Sequence, residues 1–141
     1  MSFNSVTLSS PQQGALPVPG MTTTFTLTNP MTILYLETDG VIAEVGGALN
    51  DFVSVDVRLV VDGMPVAVRV YDIEMGKYLS RTSWSFALSM TMAAGPHTVS
   101  VEASLRGVSS PNGTTPTPTA VVGGNSTSPN HGTLNVLVLN K

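Results

Sequence analysis

The plainest pattern in the chain is a period of two. Over 52–62, Val53, Val55, Val57, Leu59 and Val61 alternate with Ser54, Asp56, Arg58, Val60 and Asp62. Successive side chains of a strand point to opposite sides, so the stretch reads as a strand with one apolar face. Asp62-Gly63 then suits a two-residue turn, because glycine takes positive φ cheaply. Val66, Val68 and Val70 form the apolar parity of a return strand, with Ala67, Arg69 and Tyr71 opposite. The same period occurs twice over 82–106. Trp84, Phe86, Leu88, Met90 and Met92 share one parity, and His97, Val99, Val101, Ala103 and Leu105 share the next. The short break at Ala93-Ala94-Gly95-Pro96 between these runs predicts a β-hairpin. Each large apolar side chain buried there contributes roughly 1.5–3 kcal/mol, and Trp84 is expected in the core.

Weaker alternations fill the rest. Ser5 to Leu8 predicts a short first strand, and 22–28 (TTTFTLT) another. Between them, Pro11, Pro17 and Pro19 predict an extended connector over 9–21, since proline donates no ladder hydrogen bond. In 31–37 (MTILYLE) and 133–139 (TLNVLVL) both parities are apolar, the pattern of strands covered on both sides. Asp39-Gly40 is a turn signal, with a further short strand expected over 41–45. Roughly four-fifths of the stretch 107–132 is Ser, Thr, Pro, Gly or Asn, which predicts a long polar loop. Its one apolar anchor, Ala120-Val121-Val122, is placed to pair at a sheet edge. About eight strands and no helical periodicity predict an all-β fold: one antiparallel β-sandwich over 1–141, jelly-roll-like.

Composition narrows the role. Charged residues are 11% of 141 and the net charge is −3, with six scattered cations. Nucleic-acid binding, which needs a basic stripe, is therefore not expected. No apolar run approaches the length of a membrane helix, so no membrane insertion is expected. The N-terminus lacks the charge and apolar run of a signal peptide. The absence of cysteine rules out disulfides and thiolate metal sites.

Candidate chemistry is sparse. Glu37, Asp39, Glu44 and Asp51 gather near predicted turns and are the candidate calcium ligands, although calcium-loop spacing is absent. His97 and His131 lack ligand-spaced partners. A catalytic His97 would need a nucleophile and an orienting carboxylate, neither visible in the spacing, so His97 reads as a hydrogen-bonded turn residue. No serine lies in a nucleophile elbow, and the Gly-Gly pairs do not link strand to helix. Neither a catalytic residue nor a cofactor is expected. Tyr71 and Tyr78 are the candidate surface aromatics. With Val121, Val122, Leu137 and Leu139 they form the set of candidate partner-binding residues.

The runs VDVRLVVDGMPV, SWSFALSMTMAAGPHTVSVEASL and TLNVLVL, in that order, resemble small jelly-roll modules. These are the tumour-necrosis-factor-like and complement-globular-head-like trimer domains, and bacteriophage accessory, decoration or fibre proteins. The resemblance covers 52–139 and implies a threefold, non-enzymatic assembly whose loops decorate a particle or touch a receptor. The two doubly apolar strands agree with it, because large exposed apolar patches are unusual on monomers. The expectation is a homotrimeric structural or attachment protein, made in the cytoplasm and carried on a virion or extracellular surface. Its partners would be other virion proteins, a host receptor or a glycan. The alternative is a carbohydrate-binding, lectin-like module assisted by calcium.

Overall fold

A computed structural model describes residues 5–46, 48–76, 80–111, 118–123 and 132–139. Nine strands are formed there: β1 (Ser5–Leu8), β2 (Leu16–Leu27), β3 (Thr32–Val45), β4 (Phe52–Val61), β5 (Met64–Glu74), β6 (Arg81–Met92), β7 (Gly95–Ser109), β8 (Thr119–Gly123) and β9 (Thr133–Leu139). A single 3-10 turn at Pro11–Gln13 is capped by Ser10, whose hydroxyl accepts from the Gln12 amide.

Every pairing is antiparallel, and the pairs are nested. β4 meets β5, β3 meets β6, β2 meets β7, and β1 meets β8. The chain is thus a ribbon doubled over at Asp62-Gly63, both of which take positive φ (50° and 80°), as a type I′ hairpin turn requires. Two further ladders, β4 with β7 and β3 with β8, roll the ribbon into facing sheets. One sheet has the order β1-β8-β3-β6 and the other β2-β7-β4-β5. β6 occupies one edge of β3 from Thr32 to Ala43, so β8 and β9 share the opposite edge. β8 takes Ile42–Val45 and β9 takes Ile33–Asp39.

The alternation of β4 holds completely: Val53, Val55, Val57, Leu59 and Val61 are all buried. They face Leu34, Leu36, Ile42 and Trp84 of the other sheet in one continuous core. The stretch 82–106, however, is not a hairpin. β6 pairs with β3 and β7 with β2 and β4, so the two runs lie in different sheets joined across Ala93-Ala94. Two sheets that face each other present the same alternation to the core as two neighbours in one sheet. Periodicity therefore could not tell these arrangements apart.

Asp39-Gly40 is not a turn either. It lies mid-way along the unbroken β3, with Gly40 directly opposite Trp84. A methyl group at Gly40 would collide with the Trp84 ring atoms Cη2 and Cζ2. The glycine is there to seat the indole, which is buried to 1% exposure. The Trp84 Nε1 donates to Thr38 Oγ1 (3.3 Å), and Thr38 Oγ1 donates to the Thr133 carbonyl (2.9 Å). One polar relay thereby ties β6 to β3 and β3 to β9.

Two other expectations shift. β2 begins at Leu16, well inside the expected connector 9–21, and Val18 and Met21 are core residues. β2 is an edge strand, where Pro17 and Pro19 are tolerated, and its register slips between Pro17 and Thr22. In β5 the parity is inverted: Ile73 is buried and Tyr71 half-buried, while Val66, Val68 and Val70 face out. Within 107–132, β7 continues to Ser109, and β8 lies between β1 and β3 instead of at an edge.

Trp84→Ala is expected to cost about 3–5 kcal/mol, and Gly40→Ala about 1–3 kcal/mol through overpacking. Because ring and glycine share one space, Gly40→Ala in a Trp84→Leu background should cost much less than in the wild type. Urea unfolding of the four proteins checks this; strictly additive losses would separate the two residues.

Candidate functional site

The two doubly apolar strands are neighbours. β3 and β9 lie side by side, with Tyr35 opposite Leu137 and Ile33 opposite Leu139. Their inner parity (Leu34, Leu36 and Thr38 with Leu134 and Val136) turns toward the core, while Val138 near the end of β9 remains exposed. Their outer parity therefore gathers Ile33, Tyr35, Leu137 and Leu139 on one surface, where Leu137 is 55% exposed and Leu139 44%. Opposite them on β6 are only Ser89 and Thr91, too small to cover an apolar neighbour.

A second apolar stripe lies on the outward side of the other sheet. Met64, Val66, Val68 and Val70 are all exposed along β5, an edge strand. Beside it the outward parity of β4 and β7 is polar. Arg58 donates to Ser104 Oγ (2.7 Å), and both Arg58 and Arg106 approach Asp56 (3.8 and 3.4 Å). These two stripes, one on each sheet, are the continuous apolar runs along strands; Met31, Val45, Leu49 and Phe52 are further exposed apolar side chains near strand ends and turns.

The other partner-binding candidates are placed differently. Val121 and Val122 are on opposite sides of β8: Val121 is half-buried on the outward side and Val122 is fully buried in the core. Val122 is therefore a packing residue, as the tight ladder of β8 between β1 and β3 requires. Tyr71 closes the seam where the β5 and β6 edges approach. Its hydroxyl is hydrogen-bonded to the Ser85 backbone, and burial pushes the phenol up. Next to it, the Arg69 guanidinium lies 5.6 Å from the Phe86 ring centre. Tyr78 and His131 lie outside the described residues.

The candidate calcium ligands do not converge. Glu37 and Asp39 are half-buried on the outward parity of β3, whereas Glu44 is on the inward parity at its far end. Glu44 and Asp51 do come together, joined by Glu74, which no sequence spacing links to them. Asp51 is buried and holds its own turn: Oδ2 accepts from the Ala48 amide (2.7 Å) and Oδ1 from Ser110 Oγ (2.8 Å). Glu44 is fully buried, and among the described residues neither of its carboxylate oxygens has a hydrogen-bond partner. Burial first, then the charges of Asp51 and Glu74, push its carboxyl up to about 7. Among the described residues no three such side chains are arranged to hold a metal ion. A depression of about 500 Å³ lined by Asn50, Phe52, Asp72, Ile73 and Glu74 adjoins this cluster.

His97 sits at the opposite end, beside the Asp62-Gly63 turn. Its Nδ1 is 2.8 Å from Asp62 Oδ2 and its Nε2 is 3.0 Å from the Ala93 carbonyl. Both partners are acceptors, so the imidazolium, which donates from both ring nitrogens, is the form that satisfies both contacts at once. Both ring nitrogens are thus engaged beside the turn, as a hydrogen-bonded turn histidine would be. Asp62 also accepts from the Thr98 amide (2.8 Å) and donates its own amide to the Thr98 carbonyl, docking the turn onto β7. The Thr98 amide and then His97 hold the Asp62 carboxyl below its ordinary value of 3.8. Asp62 and then the Ala93 carbonyl hold His97 above 6.5.

Among the described residues no helix is long and apolar enough to cross a membrane. In comparisons with known proteins, no family model matches the chain and no curated sequence is significantly similar.

The His97–Asp62 tie is expected to be pH-dependent in a defined direction. A raised histidine stabilises the fold fully below its unfolded value of about 6.5, and the contribution is lost as pH rises through the higher folded value. The lowered Asp62 contributes above about 3.8 and is lost as pH falls through its folded value. The tie is therefore strongest between these limits. Imidazole NMR titration should place the His97 midpoint above 6.5, and a midpoint below 6.5 would refute the imidazolium assignment. His97→Gln should remove the alkaline part of the dependence.

Proposed function

We propose that this chain is a non-enzymatic structural or attachment module of a virion or similar surface assembly, working as a homotrimer of jelly-roll subunits. The observation that carries the reading is the apolar surface where β3 and β9 run together, formed by the exposed Tyr35, Leu137 and Leu139 with the half-buried Ile33. Water contact with such a surface is unfavourable by roughly 25 cal/mol per Å², a cost that burial against another chain removes.

The second stripe, Met64, Val66, Val68 and Val70, supports a cyclic arrangement in particular. A closed ring needs two different surfaces on each subunit, so that one subunit's first patch meets the next one's second. Here the two patches lie on opposite sheets, and the polar ladder around Asp56 and Arg58 separates the second from the rest of its sheet. The nested strand order, β1-β8-β3-β6 over β2-β7-β4-β5, supports the jelly-roll reading.

Light scattering on the eluting protein should give a mass of three chains. Leu137→Glu and Val68→Glu should each reduce it to one chain with an unchanged circular dichroism spectrum. A wild-type monomer at high concentration would sink the trimer. A dimer broken only by Leu137→Glu would replace the ring with a twofold contact through β3 and β9.

A further inference from the structure

Glu44 is the one buried carboxylate whose oxygens are both unpartnered among the described residues, and it sits where several segments are fastened together. Its amide donates to the Ser80 carbonyl (3.1 Å), joining the end of β3 to the approach to β6. Around it, the Met75 amide donates to the Asp51 carbonyl (2.7 Å) and the Asn50 amide to the Met75 carbonyl (3.1 Å). Ser110 Oγ ties the end of β7 to Asp51, and Thr119 Oγ1 donates to the Val45 carbonyl (3.0 Å). The turn between β3 and β4, the end of β5 and the flanks of 112–117 are therefore all held within reach of one acid.

Among the described residues, the charges around that acid are of its own sign. The turn contributes Asp51 and β5 contributes Glu74. Asp72, two residues before Glu74, is bonded to Ser54. From β8, Thr119 and Ala120 bring no charge. Arg81 of β6 pairs opposite Ala43, on the outward parity and away from the Glu44 side of β3. Lys77 lies outside the described residues. A protonated Glu44 is tolerated in this setting. An ionised one would add a negative charge with no hydrogen-bond donor among the described residues, a state that contact with water relieves.

We propose that Glu44 is a proton-held latch: protonated, it lets this end of the sandwich close, and ionised, it opens that end while the rest of the fold stays intact. The direction follows from linkage. The closed state holds the proton more tightly than the open one, whose Glu44 is near its ordinary 4.5, so raising pH favours opening. The titration falls at about 7, within the range an ordinary buffer covers. The latch is independent of the trimer and would operate in a monomer.

Amide hydrogen exchange on the full chain tests it, with rates corrected for intrinsic base catalysis. As pH rises above the transition, the amides of Glu44, Asn50, Asp51 and Met75 should lose protection by about tenfold per unit, the slope for one coupled proton. The amides of Leu34 and Val57 should keep theirs. In Glu44→Gln, which cannot ionise, protection at all four should be independent of pH. The same decline in the Gln variant, no decline in the wild type, or equal loss at Leu34 and Val57 would overturn the latch. Carbon-13 NMR titration of the wild-type Glu44 carboxyl gives a check that needs no variant. A midpoint near 4.5 overturns the proposal, and one near 7 supports it.

Discussion

The indole of Trp84 resting on the bare backbone of Gly40 is the contact on which the first sheet depends. It brings the largest side chain of the core into the middle of β3, the strand that also carries β8 and β9. The polar edge of the same ring is not wasted in the apolar interior. Nε1 is satisfied by Thr38, and Thr38 in turn holds the first residue of β9. Buried polar groups cost free energy unless they are paired. Here the pairing also recruits a strand that the nested ribbon does not otherwise include. Without β9, the outward apolar surface would lose Leu137 and Leu139.

The polar features at the two ends of the sandwich follow opposite rules. At the hairpin end, Asp62 accepts from the Thr98 amide and contacts His97, whose other ring nitrogen meets the Ala93 carbonyl, and each favours the charged form of the other. At the far end, Glu44 has, among the described residues, neighbours of its own sign and no donor, so its carboxyl is pushed up to about 7. Both arrangements use a carboxylate near a turn between strands. What distinguishes them is whether the adjoining backbone offers N–H groups, as Thr98 does to Asp62.

Much of the fold was legible in the chain. The alternation of β4, the Asp62-Gly63 turn, the burial of Trp84 and the double apolar faces of β3 and β9 all depend on side-chain type at a fixed spacing. The misreadings share a cause, which is that spacing is silent about partners. β6 and β7 looked like a hairpin because facing sheets share a core. Gly40 looked like a turn because a residue that the chain itself places far away, Trp84, is what needs the space. The valines of β5 looked like a core face, yet Ala67 and Tyr71 on the other parity pack inward and Val66, Val68 and Val70 do not. The polar joint was half visible: Glu44 and Asp51 are close in sequence, while Glu74 reaches them only through the β4–β5 pairing.

The nested order of the strands also bears on how the chain reaches this state. β4 and β5 are joined by two residues, but each successive pair encloses more chain, until Ser5 meets Gly123 across nearly the whole sequence. The entropy of closing a loop grows with its length and must be overcome before the contact is rewarded. Folding is therefore governed by the order in which loops close, with the ladder at Asp62-Gly63 the cheapest to start and β1 the costliest to add. The seat of Trp84 on Gly40 belongs to an intermediate layer, and the acid at Glu44 to a part completed only when β8 arrives. Slow, late closure at that end is the kinetic counterpart of the fold's geometry.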